Sequence, residues 1–590
     1  MGAIAAIAPA PKPADEATVL EVLRQLDAGF GPMAHAFQLG EFALWVGSGI
    51  SREAPSLGGI IARALEHLRV KAVDPATQAV YLQPFRTALT LGGYSIVAAE
   101  PHFPEPFETW PSNVQEGIID SLWNRYSALL DIRIPGTDND YMLWDAVDVR
   151  AAFANPKPPQ AAHLGIAILI LEGALREVAS ANWDGFIEAA VVRLGGTLAG
   201  NLQVVVDPSH LRDAPGKARL IKFHGCVVHA TEVPALYRKF LVGSTQQIAE
   251  WPYANFYAAI RGEVISLATN HRALMTGLSL QDGNLQAAFV AARQANPWPW
   301  PVTPQAHVFC ENEIGNGQRQ MLQAVYRDSY NNAIEAIETS ALLQAWGEQV
   351  LIALVLKTLG GKFHALVQLA IGGGALAAEA AAITETLDGL RNHVAELAVG
   401  NRTAFVDQAI ALWSRVLSLF RTGRLPERSD GYEILTMGSV DTIPNDQNAQ
   451  ATGLGELGIA LALVERGRSD GRWKLASPAG LELSGGSIVA SGNRPGSEPR
   501  SVFFARTAGI AIAMEKKGAF ANDNTIVIHA DDVWKQMNGG EDEVDSPRSR
   551  SRAPGRTGAN GTQHICIGAL LASENNIEQL ANSFFAEFIL

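Results

Sequence analysis

Phe42-Ala-Leu-Trp-Val-Gly-Ser-Gly-Ile-Ser51 decides the fold. Five apolar residues with no polar alternation read as a strand buried on both faces. The Gly-Ser-Gly that follows ends it in a tight turn. Three further apolar runs end in the same manner: Ala174 to Ser180 at Ala181-Asn-Trp-Asp184, Ala218 to Lys222 at Phe223-His-Gly225, and Val264 to Thr276 at Gly277-Leu-Ser-Leu-Gln-Asp282. Strands separated by helical stretches build an open parallel sheet, whose carboxyl-end crevice is where nucleotides bind. Four polar or glycine-rich loops at four such ends predict one site.

Each loop also has a plain structural reading. Gly47-Ser-Gly49 is a tight turn, Asn182 an Asx turn, and His224 a turn histidine bonded to backbone. Ser279 reads as a helix N-cap and Asp282 as a first-turn acid favoured by the helix dipole. Their order argues for more. The set resembles the sirtuin family, whose pattern runs Gly-Ala-Gly-x-Ser, Thr-x-Asn-x-Asp, His-Gly and Gly-x-Ser. Pro159-Gln-Ala-Ala-His163-Leu164, followed by Ile166, Leu169 and Leu171, is similar to the family's Ala-His-x-x-Leu helix. The likeness covers about residues 35–345.

That resemblance implies a Rossmann-like α/β fold and NAD+ as substrate. Gly47 and Gly49 would let backbone N–H groups approach a pyrophosphate, beside a helix opening near Ser51. Ser48, which stands where the family has Ala, and Ser51 would add hydroxyls; Ser279 would serve the adenosine half. Asp282 would accept from a ribose hydroxyl or cap the next helix, and Asp184 would support the site. Asn182 can donate and accept at once, which suits a ribose hydroxyl and an attacking water. His224 titrates near neutrality and would take a proton from either. Arg52 and Glu53 either approach the site or face solvent.

Cysteine usage narrows the function. Deacylating sirtuins carry a four-cysteine zinc module; this chain has three cysteines, Cys226, Cys310 and Cys566, without a Cys-x-x-Cys. No zinc is expected. A long, Trp- and Pro-bearing, mostly helical insertion separates Gly49 from His163. A sirtuin core without the module resembles the NAD-consuming effectors of bacterial anti-phage systems, where water replaces acetyl-lysine. Cys226 invites a thiol-nucleophile reading, but no sequence feature lowers its pKa.

The 590 residues allow several domains, and an apolar content of 47% describes a folded chain. A net charge of −14 argues against a broad nucleic-acid surface. Unpaired cysteines suit a reducing cytosol, so a cytoplasmic location is expected. The amino terminus lacks a basic n-region, and Val350 to Leu359 is too short to span a membrane.

The reading divides the chain into an N-terminal segment 1–34, a sirtuin-like NAD-binding unit 35–345, a helical region 346–428 and an α+β region 429–590. Ala306 to Cys310 closes the sheet. Leu342, Trp346, Val350, Leu351, Leu354 and Val355 recur at helical spacing, Gly372-Gly-Gly374 interrupts, and Ala375–Val399 and Ala404–Phe420 form two more helices. Such helices suit a homo-oligomer or a partner protein. Further on, Leu481–Ala490 reads as a hairpin, Ser501–Met514, Thr525–His529 and His564–Ile567 as strands, and Asn576–Phe588 as a closing helix. The basic loop 546–556 is a solvated loop or a contact for nucleic acid or protein. His529, Asp531, Asp532 and His564 are scattered structural residues or a metal cluster.

The sequence therefore predicts an NAD+ glycohydrolase that makes nicotinamide and ADP-ribose and depletes cellular NAD in anti-phage defence. Its control would come from self-assembly or a partner, an ATPase or Argonaute-like protein by analogy. A cyclase or ADP-ribosyl transferase on the same fold, and a non-catalytic NAD or ADP-ribose sensor, are the alternatives.

Overall fold

A computed structural model describes residues 12–588 and 590, apart from 52–53, 154–156, 374, 494–496, 521–524, 532–554 and 558–561. Arg52, Glu53, Asp532 and residues 546–554 of the basic loop thus lie outside the described residues.

Seven strands form one parallel sheet: β1 Phe42–Val46, β2 Glu177–Ser180, β3 Leu202–Val205, β4 Ala218–Lys222, β5 Arg272–Thr276, β6 His307–Cys310 and β7 Leu342–Leu343. Their order is β3-β4-β2-β1-β5-β6-β7, all parallel. β1 sits in the middle, and all five of its residues are buried. Because side chains alternate across a strand, Phe42, Leu44 and Val46 enter one core, and Ala43 and Trp45 the other. The fold class is the expected Rossmann-like α/β arrangement.

On the Phe42 face lies the helix Ala161–Leu171, in which every residue is buried. It is apolar all round because the sheet covers one side and the helix Gly347–Ile371 the other. A Cβ at Gly165 would stand 3.2 Å from Leu351, a measure of how closely those two helices pass. Val350 to Leu354 join this first core, together with Val19, Val22, Leu23 and Leu26 near the amino terminus. Phe363, Leu366, Val367 and Ile371, further along the same helix, enter the core beneath the second sheet. Gly347–Ile371 is long and apolar enough to cross a membrane, but here it bridges two cores.

Two readings of the apolar runs need correction. Val264 to Thr276 is a helix, Ala258–Asn270, followed by β5, because Val264, Leu267 and Ala268 are spaced to bury one helical face. Leu342 belongs to the edge strand β7, and the helix begins at Gly347.

The second sheet has the order β12-β13-β11-β10-β9-β8, with β8 Trp473–Ala476, β9 Ile488–Gly492, β10 Arg500–Ala505, β11 Thr525–His529, β12 Gly555–Thr557 and β13 Thr562–Cys566. β10, β11 and β13 are parallel; β8, β9 and β12 add antiparallel edges. Leu481–Ala490 is not a hairpin: a 3₁₀ turn at Leu483–Gly485 and Gly486 at φ 74° lead into β9 alone. Ser501–Met514 is not one strand either. It turns at Thr507, whose hydroxyl caps the helix Ala508–Lys516 by accepting from the Ile510 N–H.

The insertion after Gly49 is helical, with Leu57–Val73, Gln78–Leu91 and Ser112–Trp123 around a core of their own. Val227, Ala230 and Leu241, which follow His224 in the chain, insert into that core. The insertion is thereby fixed above the carboxyl end of β4.

Candidate active site at the carboxyl edge of the sheet

The register brings the four loops to one edge. Val46 pairs with Ser180 and with Thr276, and Ser180 pairs with Lys222. Neighbouring strands stand about 4.8 Å apart. Gly47, Ala181, Phe223 and Gly277 therefore leave the sheet side by side, and Asn182 and His224 each lie two residues beyond a paired position.

The two glycine loops dock on each other. Gly47 N–H donates to Thr276 O and Gly49 N–H to Gly277 O, both at 3.1 Å. A Cβ at Gly47 would lie 2.2 Å from Gly277 O, and one at Gly49 2.6 Å from Gly277 Cα. These glycines are required by loop-on-loop packing, and their two amides are already engaged. The helix expected near Ser51 is also displaced: Ser48–Ile50 is one 3₁₀ turn, and the α-helix begins at Leu57, capped by Ser56. Ser48 and Ser279 are exposed on the two loops. Ser279 is not an N-cap, since the helix Gly283–Ala295 starts after Asp282.

Ser51 is the hub on one side. Gln160 N–H donates to His163 Nδ1 at 3.2 Å, so the neutral ring carries its proton on Nε2. That proton is donated to Ser51 Oγ at 3.0 Å, and Asn182 Nδ2 donates to the same oxygen at 3.1 Å. With both acceptor positions filled, the Ser51 O–H is left to donate. Among the described residues, the buried Asn182 Oδ1 has no hydrogen-bond donor, and leaving a buried acceptor unpaired is costly. Burial depresses the His163 pKa to about 4, against a small opposing pull from Asp184, so the ring is neutral at physiological pH.

His224 stands on the other side, 4% exposed. Asn284 Nδ2 lies 2.9 Å from its Nε2; an amide N–H only donates, so Nε2 accepts and the ring proton is on Nδ1. Burial lowers the His224 pKa, and the charge of Asp282 pulls against it. Asp282 makes no cap with its side chain; it accepts from the Tyr126 hydroxyl of the insertion at 3.5 Å. Gln281 donates to Asn124 of the insertion at 3.1 Å. Asp184 accepts from Phe186 N–H and opens the helix Phe186–Gly195. Gly225, at φ 85°, lies so close to Phe240 that a Cβ would fall 2.6 Å from its carbonyl oxygen.

His163, Asn284 and Tyr126 were not among the predicted site residues. The signal for His163 is its place as the sole titratable residue of the wholly buried helix Ala161–Leu171. Asn284 sits two residues after Asp282, a spacing that only the turn into the helix makes meaningful. For Tyr126, on an insertion far away in sequence, no local signal exists.

The remaining candidates resolve simply. The Cys226 thiol is buried and held above its ordinary pKa by that burial, so it is a poor nucleophile. His529 Nε2 and His564 Nδ1 bond each other at 2.8 Å, and burial lowers both pKa values. Among the described residues no group of three His, Cys, Asp or Glu is placed to hold a metal ion.

An open α/β sheet carrying Ser, Asn and His at adjacent strand ends has these residues at the carboxyl-end crevice where such sheets bind ligands. The SIR2-like domain model matches residues 176–333, the stretch that carries β2 to β6 and the Asn182, His224 and Ser279 loops. The match supports a sirtuin-like family, whose SIR2-like domains are NAD-dependent enzymes. β1 and the Gly47–Ser51 loop lie outside the matched residues and join the site through the sheet register. No curated protein matches the chain.

Proposed function

We propose that this protein is an NAD+ glycohydrolase. The observation that carries the reading is the Ser51–Asn182 pair and His224 on register-matched neighbouring strand ends, with Asn182 Oδ1 buried and without a donor among the described residues. That oxygen accepts from the attacking water or a ribose hydroxyl, and the Ser51 O–H donates to the same substrate region. Water bonds to the ribose carbon as the glycosidic bond breaks. The bonding pair leaves with the nicotinamide nitrogen, and the water's proton goes to a base. His224 is neutral and can take that proton. Its Nε2 lone pair is held by Asn284 here, so uptake at Nε2 requires the amide to turn away.

The same reading places the activity in anti-phage defence, in the cytoplasm, as depletion of cellular NAD+ without zinc. An unregulated NADase would harm its own cell, so self-assembly or a partner protein is the proposed control. The protein, at high concentration and incubated with NAD+, releases nicotinamide and ADP-ribose in equal amounts. Asn182→Ala and His224→Ala abolish release. Full activity in both variants refutes the assignment, and a product lighter than ADP-ribose by one water identifies cyclisation instead.

A further inference from the structure

Lys222 is the last residue of β4, and its side chain is 1% exposed. Its strand is otherwise apolar on the buried positions Ala218, Leu220 and Ile221. The ammonium has three partners from three elements. It donates to the main-chain oxygen of Asp184, to Glu188 Oε1 at 2.9 Å and to Cys226 Sγ at 3.3 Å. Asp184 lies two residues after Asn182, and Cys226 two residues after His224. One nitrogen therefore holds both loops that carry the proposed reacting groups. Val227 N–H adds a backbone tie to Trp183 O at 2.9 Å.

A buried ammonium is an expensive way to join two loops. Apolar replacement of a buried ion pair is often neutral or stabilising, so stability alone does not explain it. What the ammonium supplies is direction: three donors in fixed positions, each satisfied by a different segment. We infer that Lys222 is a positioning residue, a clamp that sets Asn182 against His224 for the reaction proposed above, on which this inference rests. Burial disfavours its charge, and Cys226, Glu188 and Asp184 together outweigh that, so the group remains an ammonium.

The test uses the full chain in three variants. Lys222→Met combined with Glu188→Met avoids a stranded carboxylate. It lowers kcat for nicotinamide release by about 100-fold, with KM changed less than about threefold, as expected for misplaced rather than missing reacting groups. Cys226→Ala, a milder change, costs about tenfold in kcat, while Cys226→Ser keeps an acceptor and stays within about threefold of the natural protein. Amide hydrogen exchange gives a readout that does not need turnover. Peptides over 181–186 and 224–227 exchange at least about tenfold faster in the double variant, and those over β1 and β5 do not change. Unchanged exchange at both loops overturns the clamp, as does a kcat within threefold for both the double variant and Cys226→Ala. If the natural protein releases no nicotinamide, the glycohydrolase reading fails and the exchange result alone decides the clamp.

Discussion

His163 makes the site's integrity depend on pH in a calculable way. Its ring is fully buried, donates to Ser51 and accepts from the Gln160 N–H, a geometry available only to the neutral form. Burial lowers its pKa from 6.5 to about 4. The unfolded chain therefore binds a proton between those values that the folded chain refuses. The contribution is complete above pH 6.5 and is lost as pH falls toward 4. Between pH 7 and pH 5 the loss from this one group is about 2 kcal/mol.

Replacing His163 with Phe keeps the ring volume and its contact with Phe186. It removes the titration, and it leaves the Gln160 N–H unpaired and Asn182 as the remaining donor to Ser51, at about 1–3 kcal/mol at pH 7. The variant begins less stable and falls less steeply in acid, so its deficit shrinks by about 2 kcal/mol on going to pH 5. Amide exchange over Ala161–Leu171 and β2, compared at the two pH values, isolates this region from the second sheet. That matters because a large chain does not unfold in one step. Parallel pH slopes for the two proteins would show that His163 is not held neutral, and the hydrogen-bond directions around Ser51 would have to be reassigned.

Further outcomes follow from the same geometry. Asn284→Asp replaces a donor by an acceptor facing His224 Nε2, which favours the charged ring; the acid limb of kcat/KM then moves to higher pH, and an unmoved limb contradicts the contact. Gly47→Ala drives a Cβ toward Gly277 O in a wall of backbone, so it lowers stability by about 3 kcal/mol or more, whereas Gly117→Ala, with nothing within 4 Å, is tolerated; thermal denaturation separates them. Lys362→Met strands the buried Glu172 carboxylate, which also accepts from Tyr432 and the Leu435 N–H, and costs about 3–5 kcal/mol; chemical denaturation showing less than about 1 kcal/mol would mean water reaches this pair.

The sheet was legible because a parallel strand buried on both faces is a local property: Phe42 to Val46 and Ala218 to Lys222 need no distant partner to be recognised. Val264 to Thr276 misled for the same reason, since a short apolar run suits a buried helix as well as a strand until packing chooses. The motif residues Asn182 and His224 stand out by type and order. Their partners do not. Ser51 meets His163 across 112 positions, and His224 meets Asn284 across 60. Such pairs exist only after the register of β1, β2, β4 and β5 is set.

By itself the sequence determined the α/β class, the strand ends that carry polar loops and the residue types at the site, all of which depend on near neighbours in the chain. The tertiary structure alone decided that the Gly47 and Gly49 amides are spent on the carbonyls of Thr276 and Gly277, that Ser51 is held by two donors, and that Lys222 ties two loops to one charge. Those facts depend on distances between segments far apart in sequence. Only the assembled sheet, with the helical insertion packed above it, brings these segments together.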